Sequence, residues 1–451
     1  MTIYTLILYL FIAAVAMLLT LGYGHSKLKK HSVHHPVAWF IQYFLSALML
    51  VSGLVKALDP LGTAYKMKDY FIEFGQQGLP FMELMIKMAL PFALFTIIFE
   101  LVVGLCLLVG VGGKKTLWAN LGMMVFFTVL TGFNYLTGFT PKAMDNQAAV
   151  SLIEFSKWAA FNEANIRITD CGCFGDFLKL KPVETFVKDI FFTILSIILL
   201  GMSFKIKELL PDNKNIRKAY VVLATLVSTL FCFMNFYFNE PMVDFRPFKE
   251  GTNIPEAIAA CEANSPKVEM IFVYKNNATG EIAQFDAKSL PNHSEWTYQT
   301  RIDKVLDPGC DSKIKELKQF PEILDYKAYD DLKACEGYAL LVISSEPTKG
   351  DKNAFKKIAN LAHEAAKLNI PSYGLYYNIE DANNDGSRED DLDKFRHELQ
   401  LPVDFRFGDE KLVLTISRAN PGLLLIKDGV IVKKFHHKHI PNDFNSLKAA
   451  Q

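Results

Sequence analysis

The chain has 451 residues, room for two or three domains. Its 48 Lys and Arg balance its 48 Asp and Glu, which argues against a nucleic-acid binder, with its basic surplus, and against an acidic tail. A hydrophobic share of 51% with 36 Phe, against 21% charged residues, excludes a wholly soluble enzyme, because the long apolar runs lie before Glu240 and the charge clusters after it.

Six stretches approach the roughly 20 apolar residues needed to cross a bilayer core of about 30 Å. They are Ile3 to Tyr23, Val37 to Leu54, Ala89 to Val111, Leu117 to Leu136, Phe186 to Phe204 and Ala219 to Tyr237. The first has no basic n-region and no small-residue cleavage site, so a retained anchor is expected rather than a signal peptide. The loops holding Lys27 to Lys30, Lys114 and Lys115, and Lys205 to Lys218 carry ten Lys and Arg, a denser charge than the opposite loops. The positive-inside rule places them in the cytoplasm. Both termini, the segments Asp59 to Pro80 and Pro141 to Lys181, and everything after Glu240 then face outward. The expected location is a bacterial inner membrane, multi-pass, with the C-terminal part in the periplasm. The lipid bilayer is one partner, and nucleic acid is none.

Asp59-Pro60 ends the second run, because proline disfavours helix at the residue before it. Beyond it, Tyr65, Tyr70, Phe71 and Phe74 alternate with Lys66, Lys68, Asp69 and Glu73, the pattern of a helix in the headgroup plane or of a connecting helix. Glu100 stands near the middle of the third run. A carboxylate there costs about 2.5 kcal/mol or more unless it is paired, protonated or beside water, which makes it a functional candidate. The structural alternative is a protonated Glu100 bonded to Asn120, Asn134 or Thr128.

The sharpest local signal is Cys171-Gly172-Cys173-Phe174-Gly175-Asp176, in an outward loop after the fourth run. Two thiols one residue apart close a disulfide only over a kinked backbone, which glycine tolerates. Such a bridge is strained and readily exchanged. A plain structural turn is the other reading. Structural zinc wants four ligands, and no nearby His or second Cys pair supplies them.

Residues 36 to 204, with SGLVKALDPLG after the second run, Glu100 in the third and CGCFGD before the fifth, resemble the DoxX/MauE group of four-helix membrane proteins, particularly the Bacteroidota type. The resemblance covers about a third of the chain. It implies association with redox chemistry: DoxD-type members act in thiosulfate:quinone oxidoreduction, and MauE serves maturation of a disulfide-rich dehydrogenase. A quinone cofactor is implied by that resemblance alone, since no haem, flavin or dinucleotide motif is present.

Past the sixth run, Pro241 to Pro255 reads as a linker and Met270 to Asp286 as a hairpin around Asn276 to Gly280. From Tyr338 the pattern is strand, helix, strand, helix, then a hairpin turning at Asp428-Gly429, then helix. This order resembles a thioredoxin fold, with Asn420-Pro421 at the place of its cis-proline. Redox-active members carry CxxC after the first strand; here that place reads Ser344 to Gly350 without cysteine. A docking role is therefore expected of this domain. Cys310 and Cys335 could close a loop of about 26 residues worth about 3.5 kcal/mol, leaving Cys261 free or an exchange partner. Cys106 and Cys232 read as apolar fillers. Asp381, Asn383, Asp385 and Gly386 begin like a calcium loop, but Leu392 stands where its bidentate Glu belongs. His437 and His439 could share a strand face, though no metal site is expected.

The expected architecture is a membrane α-helical bundle of six transmembrane helices with a DoxX-like four-helix core, plus a periplasmic α/β thioredoxin-like domain. Its divisions are 1–35, an anchor and basic loop; 36–204, the four-helix domain; 205–240, a loop and sixth helix; 241–337, linker and hairpin; and 338–451, the thioredoxin-like domain. The leading expectation is thiol-disulfide exchange through Cys171 and Cys173, with electrons passing to a membrane carrier such as a quinone and Glu100 handling the proton. The alternative is a non-catalytic subunit or scaffold of an envelope protein complex. A transporter fits less well, because no paired broken helices are present.

Overall fold

The computed structural model describes residues 3–24, 35–141, 150–168, 172, 174–264, 267–307, 315–334, 336–378 and 388–449. The chain divides into two compact units, Met1–Phe236 and Tyr237–Gln451.

In the first unit, α1 (Ile3–Met17) runs on as a π-helical turn, Leu18–Gly24. α2 (Pro36–Leu58) stops at Asp59, whose carboxylate accepts from the Gly62 amide at 3.0 Å and so caps α3 (Pro60–Gln76). Proline suits the first helical position because its missing N–H would have had no partner there. α3 buries Thr63, Ala64, Met67, Tyr70 and Phe71, with Phe71 edge-on to Phe92 at 5.4 Å, so it is a packed connecting helix. Then follow α4 (Met82–Lys87), α5 (Ala89–Val109), α6 (Lys114–Thr137), α7 (Pro182–Gly201) and α8 (Lys214–Phe233).

Five helical segments among the described residues are long and apolar enough to cross a membrane: Tyr4–Tyr23, Pro36–Leu58, Ala89–Val109, Lys114–Thr137 and Lys214–Phe238. The sequence suggests six. The helix outside this count is α7, because the apolar run from Phe186 is interrupted at once by Lys188 and Asp189, with Glu184 one turn before. Phe95, Trp118, Val129 and Leu226 are exposed on the helices, a surface that water would penalise and hydrocarbon would not.

Helices in lipid gain little from hydrophobic burial and pack through small residues instead. Gly104 on α5 illustrates this, since a Cβ there would sit 3.0 Å from Leu50 Cγ on α2, and its carbonyl accepts from Ser46 Oγ at 2.9 Å. Gln42 is sealed nearby, donating to the Leu107 and Lys207 carbonyls at 2.7 and 2.9 Å.

The second unit is α/β. After α9 (Ile254–Ala263), β1 (Lys267–Asn276), β2 (Ile282–Asp286) and β3 (Trp296–Asp307) form an antiparallel sheet of order β2-β1-β3. The hairpin expected around Gly280 is its first half; β3 has no counterpart in the sequence reading. α10 (Lys315–Leu324) and α11 (Tyr326–Ala334) lead to β4 (Tyr338–Ser344), α12 (Lys352–Lys367), β5 (Ser372–Tyr376), α13 (Arg388–Leu399), β6 (Asp404–Phe407), α14 (Glu410–Ile416), β7 (Gly422–Lys427), β8 (Val430–His436) and α15 (Phe444–Ala449).

These strands form a sheet of order β6-β5-β4-β7-β8, with β4, β5 and β6 parallel and β7 antiparallel to both β4 and β8. β4 is apolar on both faces because both are covered. Leu340 and Val342 join Phe355, Ile358 and Phe395 on one side, while Ala339, Leu341 and Ile343 join Phe248, Ile258 and Phe320 on the other. Phe248 belongs to the stretch read as a linker. Within that stretch Arg246, Phe248 and Ile254 are buried, while Met242 and Val243 are exposed. The β7–β8 turn falls at Asp428 and Gly429, both with positive φ, 50° and 77°, as a type I′ turn requires.

Candidate functional site

The site in the first unit is built from four helices. α2 carries Ser52 and Lys56 one turn apart, and the Lys56 ammonium donates to Ser52 Oγ at 3.0 Å and to Glu100 Oε2 on α5 at 2.7 Å. It also lies 4.3 Å from the centre of the Phe127 ring on α6. The side chains of Lys56 and Glu100 are 3% and 2% exposed, so water screens neither. Burying one charge there is prohibitive, whereas the pair is neutral and its members satisfy each other.

The partner of Glu100 is therefore Lys56, the lysine of SGLVK, and not the polar neighbours considered from sequence. Asn120 donates to Ser196 Oγ at 2.8 Å, Asn134 accepts from the Ile168 amide at 3.2 Å, and Thr128 bonds Thr193 at 2.8 Å.

A second buried pair lies on α7. The Lys188 ammonium contacts Asp189 Oδ1, and Thr131 Oγ1 on α6 is 3.0 Å from Asp189 Oδ2. Lys188 also lies over the rings of Phe174, at 5.3 Å, and Phe192, at 5.9 Å. Sequence reasoning missed this pair because residues 188 and 189 sit at the edge of an apolar run and look like its flank.

Cys171 and Cys173 lie outside the described residues. Gly172 between them has φ +66°, and a Cβ there would stand 2.6 Å from Lys66 Cγ on α3. Phe174 is 1% exposed within the helical core. Gly172 is thus seated against α3 and Phe174 against α7.

In the second unit, Glu240 and Asp244 face Arg246 and Lys434. Glu240 Oε1 accepts from Ser417 Oγ at 2.5 Å and from the Arg418 and Ala419 amides at 3.1 and 3.2 Å, and Oε2 accepts from Arg246 at 3.0 Å. Asp244 takes Arg246 at 2.7 and 2.9 Å and Lys434 at 2.9 Å. Burial alone would raise the Glu240 carboxyl, but Lys434, Arg246 and the Ser417 hydroxyl outweigh it and hold it at about 2. Asp244 is likewise held far below the usual carboxylate range against its burial. This clamp closes on the segment before the cis Asn420-Pro421 peptide.

The loop from Ser344 to Gly350 is tied to the same segment. Ser344 Oγ donates to Asn420 Oδ1 at 2.6 Å, and Asn420 Nδ2 donates to the Glu346 carbonyl at 2.9 Å. It has no thiol, so it can bind or brace but not exchange disulfides.

The remaining expectations divide. Cys261 is buried and disulfide-bonded, so of its two readings, a free thiol or an exchange partner of Cys171 or Cys173, the first is corrected; its partner lies outside the described residues, as do Cys310, Cys335 and Asp381 to Ser387. Cys106 and Cys232 are buried and free. β8 ends at His436, so His437–His439 form a 3-10 turn rather than a strand face, and among the described residues no group of three His, Cys, Asp or Glu is placed to hold a metal. The gap in the bundle lined by Gln42, Cys106, Leu107 and Gly110 has no room for even a water-sized group, so it is no small-molecule pocket.

Residues 34–142 match the family model of the methylamine utilisation protein MauE. With the five apolar helices, this makes the chain a multi-pass membrane protein whose residues 34–142 are similar to MauE and are followed by an α/β unit. No curated protein and no solved structure matches the chain.

Proposed function

We propose that the chain is a redox-associated protein of a bacterial inner membrane, which exchanges disulfides with an envelope partner through Cys171 and Cys173. The observation that carries this reading is Gly172. Its left-handed backbone and its close seat on Lys66 exclude a side chain, and a kinked glycine is what a bridge between thiols one residue apart demands. The MauE match supports a redox setting, and kinship with the wider DoxX group belongs to the same proposal. Glu100, held by Lys56, handles a proton within the bundle.

On this reading α7 is a sixth span, a role supported by the neutral pairing of Lys188 with Asp189. The C-terminal unit is a periplasmic thioredoxin-like domain. The strand order β5-β4-β7-β8 and the helices on both faces support that fold, and the missing thiol between Ser344 and Gly350 supports docking rather than chemistry. Re-oxidising the thiol pair takes away two electrons and two protons, so the cycle needs a two-electron oxidant. The gap beside Gln42 and Cys106 has no room for a quinone ring, so no step is routed through a quinone.

Replacing Cys171 and Cys173 by Ser should shift envelope proteins toward the reduced state, and replacing Cys173 alone should trap a mixed disulfide on Cys171. An unchanged envelope thiol profile would count against the proposal. The alternative, a scaffold subunit of an envelope complex, is favoured by the braced, thiol-free loop at Ser344. Stoichiometric partners co-purifying equally with the wild type and the double Ser variant would favour it.

A further inference from the structure

α8 runs on as a π-helical turn, Met234–Phe238, and the apolar segment Lys214–Phe238 is 25 residues long. At about 1.5 Å per residue it measures about 37 Å, more than a hydrocarbon core of about 30 Å. Lys214, Arg217 and Lys218 stand at its start and Tyr237 and Phe238 at its end, residue types that favour the two water boundaries of a bilayer. Along its sides Leu223, Leu226, Val227 and Leu230 are exposed, a surface suited to hydrocarbon. Such a helix ends in a headgroup layer.

From that end the chain is tied at once to the body of the C-terminal unit. Lys438 Nζ lies 3.1 Å from the centre of the Tyr237 ring and 4.6 Å from that of Phe238. Glu240 is two residues on, a reach of at most about 7 Å. It accepts from Ser417, Arg418 and Ala419, and Asp244 accepts from Lys434. The side chains of Arg246 and Lys434, which hold these carboxylates, are 1% and 4% exposed, so the join is a sealed ionic network and not a swivel. The end of the five-stranded sheet that carries His436 and Asn420 is thereby fixed to the end of the apolar segment.

The surface at this end is amphipathic. Tyr237, Phe238, Met242 and Val243 are 51, 45, 68 and 46% exposed. Lys438 stands beside them, whereas Glu240 and Asp244 are engaged inward by Arg246 and Lys434. Apolar side chains flanked by a lysine are the pattern of a surface that lies in a membrane interface. We propose that this end of the C-terminal unit, Tyr237 to Val243 with the His437–His439 turn, rests on the headgroup layer of a phospholipid bilayer. Met242 and Val243 enter the acyl boundary, and the Lys438 ammonium sits against lipid phosphate. The occupant is lipid because the patch continues directly from a helix whose sides already call for hydrocarbon. What the surface does for docking rests on the reading of Ser344 to Gly350 as a docking loop. Asn420 holds that loop at the same end, so a partner docking there meets it close to the membrane.

The test is photo-crosslinking of the full chain in nanodiscs of phosphatidylethanolamine and phosphatidylglycerol, with benzoylphenylalanine placed at Val243, His439 or Leu368 in turn. The probe bonds to C–H groups beside it on illumination, and mass spectrometry reads the adduct. Leu368 is the control, an exposed apolar residue of the same unit. It follows α12, which starts at the Asn420 end, where the Asp351 amide donates to the Asn420 carbonyl at 3.2 Å, and which is about 24 Å long. Lipid adducts should form at Val243 and His439 and not at Leu368. Lys438→Glu, which sets a carboxylate against lipid phosphate, should lower the His439 yield several-fold, and an unchanged yield contradicts the role given to Lys438. No lipid adduct at Val243 and His439, equal yield at Leu368, or cross-links to a second copy of the chain in place of lipid overturn the proposal. Should the chain with the probe at His439 fail to fold, Val243 against Leu368 decides alone. If lipid adducts form as expected while no partner docks at the Ser344 to Gly350 loop, the membrane surface stands and the docking reading falls.

Discussion

The Lys56 ammonium lies 2.7 Å from the Glu100 carboxylate, 44 positions away in sequence, with almost no water access to either. Such a pair contributes little net stability against an apolar substitute, but removing one member strands the other. Glu100→Leu or Lys56→Met alone should therefore cost about 3–5 kcal/mol in unfolding of the solubilised protein. The double replacement should recover most of that loss. A double variant as unstable as the sum of the singles would mean that the two charges are not coupled.

Gly172 offers a second test. Alanine there is strained by the positive φ and collides with Lys66. Gly172→Ala should cost about 1–2 kcal/mol from the backbone alone, and Gly172→Ala with Lys66→Ala should relieve the collision without removing that cost. Full recovery in the double variant would show that the backbone is not held in the left-handed region.

The C-terminal unit should lose stability on acidification in two separable windows. Burial, aided by His437, lowers His436 from 6.5 to about 4. The folded state thus resists a proton that the unfolded state accepts, and stability falls as pH drops from 6.5 toward 4. The full shift corresponds to roughly 3 kcal/mol. His436→Phe should flatten this window. Glu240, lowered from 4.5 to about 2, contributes stability that is present above pH 4.5 and lost as pH falls toward 2. Glu240→Gln should reduce that second loss, with Asp244 supplying the rest, and leave the first unchanged. Unfolding of the full chain followed against pH checks both, and a single transition unaffected by either variant would contradict the assignment.

Much of the fold was legible because it rests on local rules. Asp59-Pro60 ends one helix and starts the next, and Asp428-Gly429 turns a hairpin. The alternation through β4 was hidden, because a strand covered on both faces is uniformly apolar. β3, β6 and α14 were missed: β3 carries charges along its length, and β6 and α14 are only four and seven residues long. Glu100 stood out as an acid in an apolar run, but its partner did not, because pairing across helices leaves no period in the sequence. Lys188 and Asp189, and the Glu240–Asp244–Arg246 clamp, were hidden for the converse reason. Charges at the margin of apolar runs are read as flanks, and only the fold reveals that they are sealed.

Cys261 is bridged and buried. Cys261→Ser should cost about 2–5 kcal/mol and release one alkylatable thiol elsewhere in the chain, which peptide mapping under non-reducing conditions identifies. Unchanged stability with no new thiol would contradict a structural bridge.

The most direct test of the thiol-exchange reading is the redox titration of Cys171 and Cys173 by differential alkylation and mass spectrometry, in intact membranes across defined redox buffers. Exchange-active thiols should titrate together between about −120 and −270 mV. A pair that stays reduced throughout, or stays bridged below about −300 mV, would contradict the account and leave the scaffold reading in its place.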